Sequence, residues 1–328
     1  IVKNATFRAN ASEVDANYRI LLDFDPNDKN RSSGKVKDFL ELFRDKFEFL
    51  SGVLKKRTNL EVQPISRLSR TTNNNDITLC GMVSKKWVSK NGHPVVELED
   101  FEGKVLCLFL KNDKQMFDTS KQIMLDDVIA VKGKKISNDM IISSQVHWPD
   151  LPMAGPKAGL RDLNLIAASD VHVGSKLFLE REFSNFISWI NGNTSSPKEK
   201  EEVGKIKYLV LCGDNVDGIG VYPDQFDELA IKDIFEQYDV FCDYLLQIPE
   251  YIEVFIIPGQ HDAVRRADPQ PSIPRQFVKK VSGCKNIHFL GSPSWIEVEG
   301  LKAMMYHGAS LHDIYASIPG YDYHKPEQ

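Results

Sequence analysis

The segment IAASDVHVGS, residues 166–175, places an Asp and a His two positions apart directly after an apolar run. An apolar run of this length is typical of a buried β-strand, and Asp170 and His172 are residue types that bind metal ions. In open α/β sheets, functional side chains gather at the carboxyl ends of the strands. Since a single D-x-H is common by chance, a metal site here requires ligands from other strand ends.

Three further apolar runs end in loops that are rich in such ligands. The runs are YLVLCGDNVDG, FIIPGQHDAVRR and AMMYHGAS, and their candidate residues are Asp214 and Asp217, then Gln260, His261 and Asp262, then His307. Each loop alone would be an ordinary turn or strand cap, but four of them in one sheet can share a crevice. A mixed set of Asp, His and amide oxygen suits Mn²⁺, Fe or Zn better than Ca²⁺. Two such ions about 3.5–4 Å apart, sharing one carboxylate, form an arrangement used for phosphate ester hydrolysis.

The surrounding sequence predicts an α/β fold for residues 151–328, after the Pro-rich joint WPDLPMAGP. Apolar strands alternate with helical stretches near 179–190 and 225–248, which indicates a sheet covered on both faces. The segment GNTSSPKEKEEVG, residues 192–204, is expected to be a charged surface loop.

Residues 76–150 show a different pattern, with five short strand-like runs separated by turn residues. One helical segment, KNDKQMFDTSKQIM, lies between the third and fourth runs. Five strands with a helix at this point predict an all-β OB-fold barrel. Such barrels bind oligonucleotides in some proteins and dock proteins in others. The aromatic positions do not decide between these roles, because barrel cores also need aromatics: Trp87, Phe101, Phe109 and Trp148.

Residues 1–75 predict one amphipathic helix and a linker. In SSGKVKDFLELFRDKFEFLSGVL, residues 32–54, apolar positions recur at helical spacing, and Ser32 or Ser33 is the expected N-cap. The polar, Asn-rich LSRTTNNNDI that follows is typical of an exposed loop.

The composition is that of a soluble globular protein, with 42% hydrophobic and 27% charged residues in 328. A net charge of -5 shows no strongly basic surface in the total. The five cysteines lie far apart without a C-x-x-C pair, which favours buried, reduced thiols in a reducing interior. We expect a cytoplasmic, nucleoid-associated protein without a membrane span, whose true N-terminus precedes Ile1.

The ordered motifs D-x-H-x-G, G-D-x-x-D, G-Q-H-D and H-G resemble the calcineurin-like metallophosphoesterase superfamily over about residues 163–310. A barrel directly upstream of such a domain is the layout of the small subunits of replicative DNA polymerases. The segments SSGKVKDFLELFRDKFEFL, ASDVHVGSKLF and PGQHDAVRRADPQP are similar to the small subunits of archaeal family D DNA polymerases. Eukaryotic relatives have lost the metal-ligand residues, whereas this chain keeps most of them. It therefore resembles the nuclease-competent, archaeal branch.

The resemblance implies a two-sheet α/β sandwich that holds two divalent metal ions. Mn²⁺ is the expected metal, and Fe, Zn or Mg are alternatives. Asp170 and His172 would bind the first ion, and Asp214 would bridge the two ions. Gln260 and His307 would bind the second ion. By the same resemblance, His261 would act beside the substrate phosphate, either protonating the leaving 3′-oxygen or stabilising the transition state. Asp217 and Asp262 would orient ligands or tie down loops. Arg265 and Arg266 would bind the DNA backbone, or would be an ordinary solvated pair or part of an internal salt bridge.

The implied reaction is 3′→5′ exonucleolytic proofreading of a DNA 3′ end. The implied partners are the large catalytic polymerase subunit and, through that complex, a sliding clamp. Two alternatives remain. One is a catalytically inactive, structural subunit that holds the large subunit. The other is a phosphoesterase that acts on small phosphoesters, although such an enzyme has little need of the barrel and the long helix.

Two departures from the superfamily pattern bear on activity. Gln260 stands where the family usually has Asn, with the same amide oxygen on a stem one methylene longer. The superfamily's last loop, G-H-x-H, supplies one His to each metal, and no match occurs before Gln328. Neither His312 nor His324 matches it. We therefore expect that the C-terminal part with this loop lies outside the sequence.

Overall fold

The computed structural model describes residues 7–23, 34–58, 61–150, 155 and 157–318. The chain divides into two compact units, one formed by Ile1–Arg31 with Gly155–Ala309 and the other by Ser32–Ala154 with Ser310–Gln328. This division differs from the expected ranges 1–75, 76–150 and 151–328.

Twelve strands and six α-helices are present in the described residues. The strands are β1 (Tyr18–Leu22), β2 (Asp76–Val88), β3 (Pro94–Glu99), β4 (Lys104–Leu108), β5 (Val128–Ser137), β6 (Met140–His147), β7 (Asn164–Ala168), β8 (Ile206–Cys212), β9 (Glu253–Ile257), β10 (Ile287–Phe289), β11 (Ser294–Val298) and β12 (Leu301–Met305). The helices are α1 (Val36–Thr58), α2 (Lys114–Gln122), α3 (Glu180–Ile190), α4 (Pro197–Gly204), α5 (Ile234–Leu245) and α6 (Leu311–Ser317). Short 3-10 helices occupy Asn10–Glu13, Ile65–Arg70, Gln225–Asp227 and Lys279–Val281.

A four-stranded parallel sheet in the order β10-β9-β8-β7 is the centre of the first unit. Side chains of β8 alternate between two cores, because successive residues of a strand point to opposite faces. Leu209 and Leu211 pack in the core that includes residues of α3 and α5, whereas Tyr208 and Val210 pack on the other face. The predicted burial of both faces is confirmed for β8 and β9, while β7 exposes every second residue.

The second face of this sheet is covered by a three-stranded antiparallel sheet in the order β1-β11-β12. Strand β1 pairs with β11 in a register that sets Tyr18 opposite Val298. The sequence patterns did not predict β1, β10 or β11. These strands are short, and β1 depends on a partner almost 280 positions away, which no local pattern shows.

The prediction of a surface loop at residues 192–204 is wrong for the second half of this segment, because α4 occupies Pro197–Gly204. The side chain of Ser196 accepts a hydrogen bond from the Glu199 backbone N–H, and Pro197 occupies the first helical turn. Val203 is fully buried. A capping Ser followed by Pro and Glu is a helix-start signal, and the dense charge of the segment masked it.

The second unit contains a closed barrel in the order β2-β3-β4-β6-β5, with β4 and β6 parallel and the other pairs antiparallel. The five predicted strands and the helix between the third and fourth, α2, are confirmed. Phe109 is buried in the barrel core and Trp148 packs at its margin, whereas Trp87 and Phe101 are exposed.

The predicted amphipathic helix is α1, and the C-terminal half of its apolar stripe packs on the outside of the barrel, whereas Val36, Phe39, Leu40 and Phe43 are exposed. Phe47, Leu50 and Leu54 form a small core with Cys80, Val128 and Ala130. The proposed N-cap residues Ser32 and Ser33 lie outside the described residues.

The prediction of buried thiols is confirmed for three of the five cysteines, while Cys212 and Cys284 are partly buried. All five lie in the described part of the chain with free thiols, and three of them, Cys80, Cys107 and Cys242, are buried. None of the described helices has the length and apolar character that crossing a membrane requires.

Closure of the barrel predicts an unequal response to two Gly→Ala substitutions in the same unit. A Cβ on Gly133 of β5 would lie 2.3 Å from the carbonyl oxygen of Ile142 in β6, so the strands must separate. We expect Gly133→Ala to lower the free energy of unfolding by roughly 1–3 kcal/mol. Urea unfolding followed by circular dichroism measures the change.

The control is Gly52→Ala in the interior of α1, where a Cβ meets nothing within 4 Å. We expect this variant to be more stable by roughly 0.5–1 kcal/mol, since Ala restricts the unfolded chain. Equal effects of the two substitutions would contradict the close strand contact.

Candidate metal centre

The loops that follow β7, β8 and β9 are joined by backbone hydrogen bonds at the carboxyl edge of the parallel sheet. The Asp170 N–H donates to the carbonyl oxygen of Gly213, and the His172 N–H donates to that of Asp214, both at 3.0 Å. The His261 N–H donates to Oδ1 of Asp214 at 2.9 Å. The structure thus brings the predicted loops into one crevice.

Two groups of possible ligand atoms lie in this crevice, and Asp214 belongs to both. The atoms within each group lie within 4.8 Å of one another; the groups are Asp170, Asp214 and His307, and His172, Asp214 and His261. Nε2 of His172 also lies 3.9 Å from Oδ1 of Asp170. Asp214 therefore lies between the two groups, and its role as a bridging ligand stays a prediction.

Gln260 precedes His261 in the loop after β9, and its side chain is partly exposed. Gly259, the residue before it, lies against Asp214, since a Cβ there would be 2.1 Å from Oδ1 of that carboxylate. The loop therefore approaches Asp214 closely. The role of the Gln260 amide as a ligand stays a prediction.

Each of the three histidines has its Nδ1 atom held by an oxygen atom. Nδ1 of His172 lies 3.0 Å from Oδ1 of Asp217, and Nδ1 of His261 lies 2.7 Å from the backbone oxygen of the same Asp217. Nδ1 of His307 lies 2.7 Å from the carbonyl oxygen of Cys212. Because a carbonyl oxygen only accepts, the Nδ1 atoms of His261 and His307 donate. Their Nε2 atoms are then the nitrogens that a metal ion would bind, with loss of any proton that they carry.

This arrangement orients imidazoles as metal sites in proteins commonly do. Nε2 of His307 lies 3.3 Å from Oδ2 of Asp214, and Nε2 of His172 lies 3.7 Å from the same oxygen. Asp217 contacts two of the histidines and is itself buried. The geometry agrees with a positioning role for Asp217.

Asp262 is buried and joins three elements around the site. Its carboxylate accepts from the Gly259 N–H, the Asn215 side-chain amide and the Tyr238 hydroxyl of α5, at 2.9, 3.0 and 2.9 Å. Burial raises the pKa of Asp262. These contacts tie loops together, one of the two roles expected for it. The sequence patterns missed Tyr238, which has no local signal, and Asn215, which lies inside the G-D-x-x-D motif.

The electrostatics of the site favour a cation. Burial would raise the pKa of Asp214, but hydrogen bonds from His307 and from the His261 N–H outweigh it, so its pKa lies below its usual value. Burial acts to lower the pKa of His307, yet the Asp214 carboxylate raises it to about 9. The buried carboxylate is thus stabilised by positive charge, which a divalent ion would also provide. With Asp and imidazole donors of this geometry, the residues fit such an ion.

The backbone at the ligands is strained. Asp170, His172 and Asp214 have φ angles of 58°, 53° and 50°, in the left-handed region that few residues other than Gly adopt. Such conformations cost of order 1–3 kcal/mol each and cluster at functional sites. Gly213 also has a positive φ, of 92°, and a Cβ there would lie 2.4 Å from Nδ1 of His307. Only Gly permits this approach.

The two arginines proposed for DNA binding are exposed and are consecutive residues of the loop that follows β9. The Arg265 guanidinium donates to the carbonyl oxygen of Pro269, and that of Arg266 donates to the carbonyl oxygens of Gly220 and Val221. Their DNA role stays a prediction. His312 lies in α6 of the other unit, and His324 lies outside the described residues.

The known proteins that this chain resembles are subunits of DNA polymerases. Residues 165–320 match the family described as the B-subunit of DNA polymerases alpha and epsilon. The chain is 35% identical to the DNA polymerase II small subunit of Methanocaldococcus jannaschii over 98% of this chain and 54% of that protein. It is 33% identical to the protein of the same name from Methanothermobacter thermautotrophicus, over 96% of this chain and 64% of that protein. It is also 33% identical to the DNA polymerase II small subunit of Pyrococcus furiosus, over 97% of this chain and 54% of that protein.

The chain therefore spans between about half and two thirds of the length of these relatives. Among solved structures, the telomere capping protein Ten1 from Saccharomyces pombe aligns with 27% of this chain and 79% of its own at 15% identity. The TM-score of that alignment is 0.20, too small to indicate a shared fold.

The Asp214–His307 pair predicts a pH dependence of stability in the metal-free protein. A folded-state pKa of about 9, above the usual 6.5, means that the pair stabilises fully below pH 6.5. This contribution is lost as the pH rises through 9. We expect the free energy of unfolding in chelator to fall by roughly 1–3 kcal/mol over this window.

Urea unfolding at a series of pH values tests this, with His307→Gln as the reference variant. The variant lacks the titrating imidazole, so its stability should change less over the same window. Parallel curves for the two proteins would contradict the raised pKa.

Proposed function

Because the chain belongs to the family of the archaeal DNA polymerase II small subunits, we propose that it contributes the 3′→5′ proofreading exonuclease of a family D DNA polymerase. The convergence of Asp and His side chains on the buried Asp214 carboxylate carries this proposal. A subunit with only a structural role has no need of strained ligand loops. Since the chain spans only part of its relatives, substrate and partners belong to the proposal too.

Two divalent ions would supply positive charge to the phosphate oxygens and activate water. The proposed metal is Mn²⁺, with Fe, Zn or Mg as alternatives. The residues that would hold them are Asp170, His172, Asp214, Gln260 and His307. Asp214 belongs to both ligand groups, which supports a shared carboxylate. We also propose that the barrel is an OB fold and that the two-sheet unit is a metallophosphoesterase fold, as the closed five-stranded topology and the covered parallel sheet support.

His261 is the proposed catalytic residue. Its Nδ1 donates to the Asp217 backbone oxygen, and its ring meets that of His172 edge to face, with centroids 4.6 Å apart. The imidazole is thereby held in one orientation beside the ligand cluster. As the imidazolium, His261 can either donate the Nε2 proton to the leaving 3′-oxygen or stabilise the charged transition state. Asp217 acts through both histidines as a positioning residue.

The partner proposed for this chain is the large catalytic polymerase subunit, which would add nucleotides and connect to a sliding clamp. Arg265 and Arg266, both exposed, are the residues proposed to contact the DNA backbone. The work would take place inside the cell, on the nucleoid.

A structural subunit without nuclease activity is the second candidate. Gln260 favours it, because a side chain one methylene longer than Asn can displace the second ion or slow the chemistry. A phosphoesterase for small phosphoesters is a further alternative. Activity on p-nitrophenyl phosphate without activity on DNA would favour it.

Binding of Mn²⁺ tests the ligand groups directly. We expect Asp214→Asn to weaken binding more than about 100-fold, and Asp217→Asn to weaken it about 10–100-fold, because Asp217 acts only through the histidines. Isothermal titration of the full-length chain measures both. The control is Asp239→Asn, an exposed carboxylate on α5 that pairs with Lys280. Unaltered binding in Asp214→Asn would remove the shared-carboxylate site.

Nuclease activity is tested with the full-length chain bound to its large subunit, Mn²⁺ and a primer with a mismatched 3′ end. We expect His261→Ala to slow degradation about 10²–10⁴-fold, the usual contribution of a general acid. Gln260→Asn should increase the rate if Gln weakens an inherited site.

The matched control is His312→Ala, a histidine on α6 in the other unit. It should degrade the primer at the wild-type rate. If none of the proteins degrades the primer, the chain is a scaffold. A wild-type rate in His261→Ala would remove the assigned catalytic role.

A further inference from the structure

A cavity of about 400 Å³ opens beside the ligand cluster, within the first unit. Asp170, His172 and His261 contribute to its lining, so it is continuous with the cluster. Much of the remaining lining is apolar or aromatic, from Leu177, Phe178, Leu179, Phe183 and Tyr222. This volume lies in the range of pockets that take small organic groups. We call it the side groove.

Two leucines of the side groove are unusually exposed for their type. Leu177 is 83% exposed and Leu179 is 68% exposed. Phe178 between them turns inward and packs with Phe183 and Tyr244. The segment is therefore anchored by one side chain while two apolar neighbours face the solvent. Exposed apolar side chains grouped next to a charged site mark a ligand surface.

Tyr222 brings an aromatic ring to the same groove. Its ring centroid lies 6.0 Å from that of His261, and its hydroxyl donates to the Glu228 carboxylate at 2.6 Å. This carboxylate raises the pKa of Tyr222 to about 12. The ring is therefore neutral and held in place, at 40% exposure.

The two chain segments that form the side groove are bonded to each other. The Lys176 N–H donates to the backbone oxygen of Glu228 at 2.9 Å, and Ser175 forms a β-bridge with Leu229. The groove is thus formed before any ligand arrives, which limits the entropy lost on binding.

We propose that the side groove binds the unstacked base of the 3′-terminal nucleotide while its phosphate lies at the ligand cluster. This inference rests on the proposed nuclease. A nucleobase is neutral and flat and stacks on aromatic and apolar side chains of any suitable geometry. A negatively charged group is disfavoured there, since Asp217 and Glu228 also line the cavity.

This placement gives the site a means of selecting mismatched ends. A base that is paired and stacked in a duplex cannot enter a lateral groove. Extruding it costs a few kcal/mol, and the cost is least for a mismatched or single-stranded base. The groove therefore selects by how readily the terminal base leaves the helix, without contacts specific to one base.

The test compares single-stranded oligonucleotides with a normal or an abasic 3′-terminal nucleotide, using the full-length chain in Mn²⁺. We expect wild type to bind and degrade the base-bearing end on the order of tenfold better. Tyr222→Ala and Leu177→Ser should reduce this preference toward unity. A 2-aminopurine at the 3′ end reports the same contact, since stacking in the groove quenches its fluorescence.

Two variants serve as matched controls. Tyr222→Phe keeps the ring and should keep the preference, and Leu246→Ala, on an exposed leucine after α5, should also keep it. An unchanged preference in Tyr222→Ala and Leu177→Ser, or no preference in wild type, overturns the proposal. If wild type degrades DNA but the preference does not depend on these residues, the groove assignment fails while the nuclease stands. If a groove-dependent binding preference occurs without degradation, the nuclease fails instead.

Discussion

The buried carboxylate of Asp214 is the point on which the site depends. It follows the central strand β8, accepts a hydrogen bond from the backbone of the loop after β9, and lies within 3.7 Å of two histidines. A carboxylate taken out of water must find compensating charge or donors. The surrounding loops provide both, which is why they converge on this residue rather than passing separately over the sheet edge.

The sheet holds that carboxylate in place through packing on two faces. In β8, Leu209 and Leu211 lie in the helix-side core, and Tyr208 lies against the antiparallel sheet. The Tyr208 hydroxyl donates to Glu299 at 2.6 Å, and Arg161 pairs with the same carboxylate. With its strand fixed from both sides, the loop at its end can store the unfavourable φ angle of Asp214.

The site is chemically asymmetric, with charge in one part and apolar surface in another. The ligand cluster suits a phosphate and its counter-ions, while the exposed leucines and Tyr222 suit a group that leaves water readily. A nucleotide has both parts joined by a sugar. Asp217 links the two regions, because it orients His172 and His261 and also lines the side groove. Phosphate chemistry and recognition of the terminal base would then share one rigid support.

The sequence by itself determined the barrel strands, the helices α1 and α2, and the ligand loops, because these follow from local periodicity and from short motifs. It did not determine the pairing of β1 with β11, the hydrogen bond between Tyr238 and Asp262, or the Nδ1 partners of the histidines. It also missed α4, although the cap at Ser196 was present. Left-handed angles at Asp170, His172 and Asp214 came only from the tertiary structure. Such features depend on groups distant along the chain, whose contacts outweigh local preference only once the sheet has formed.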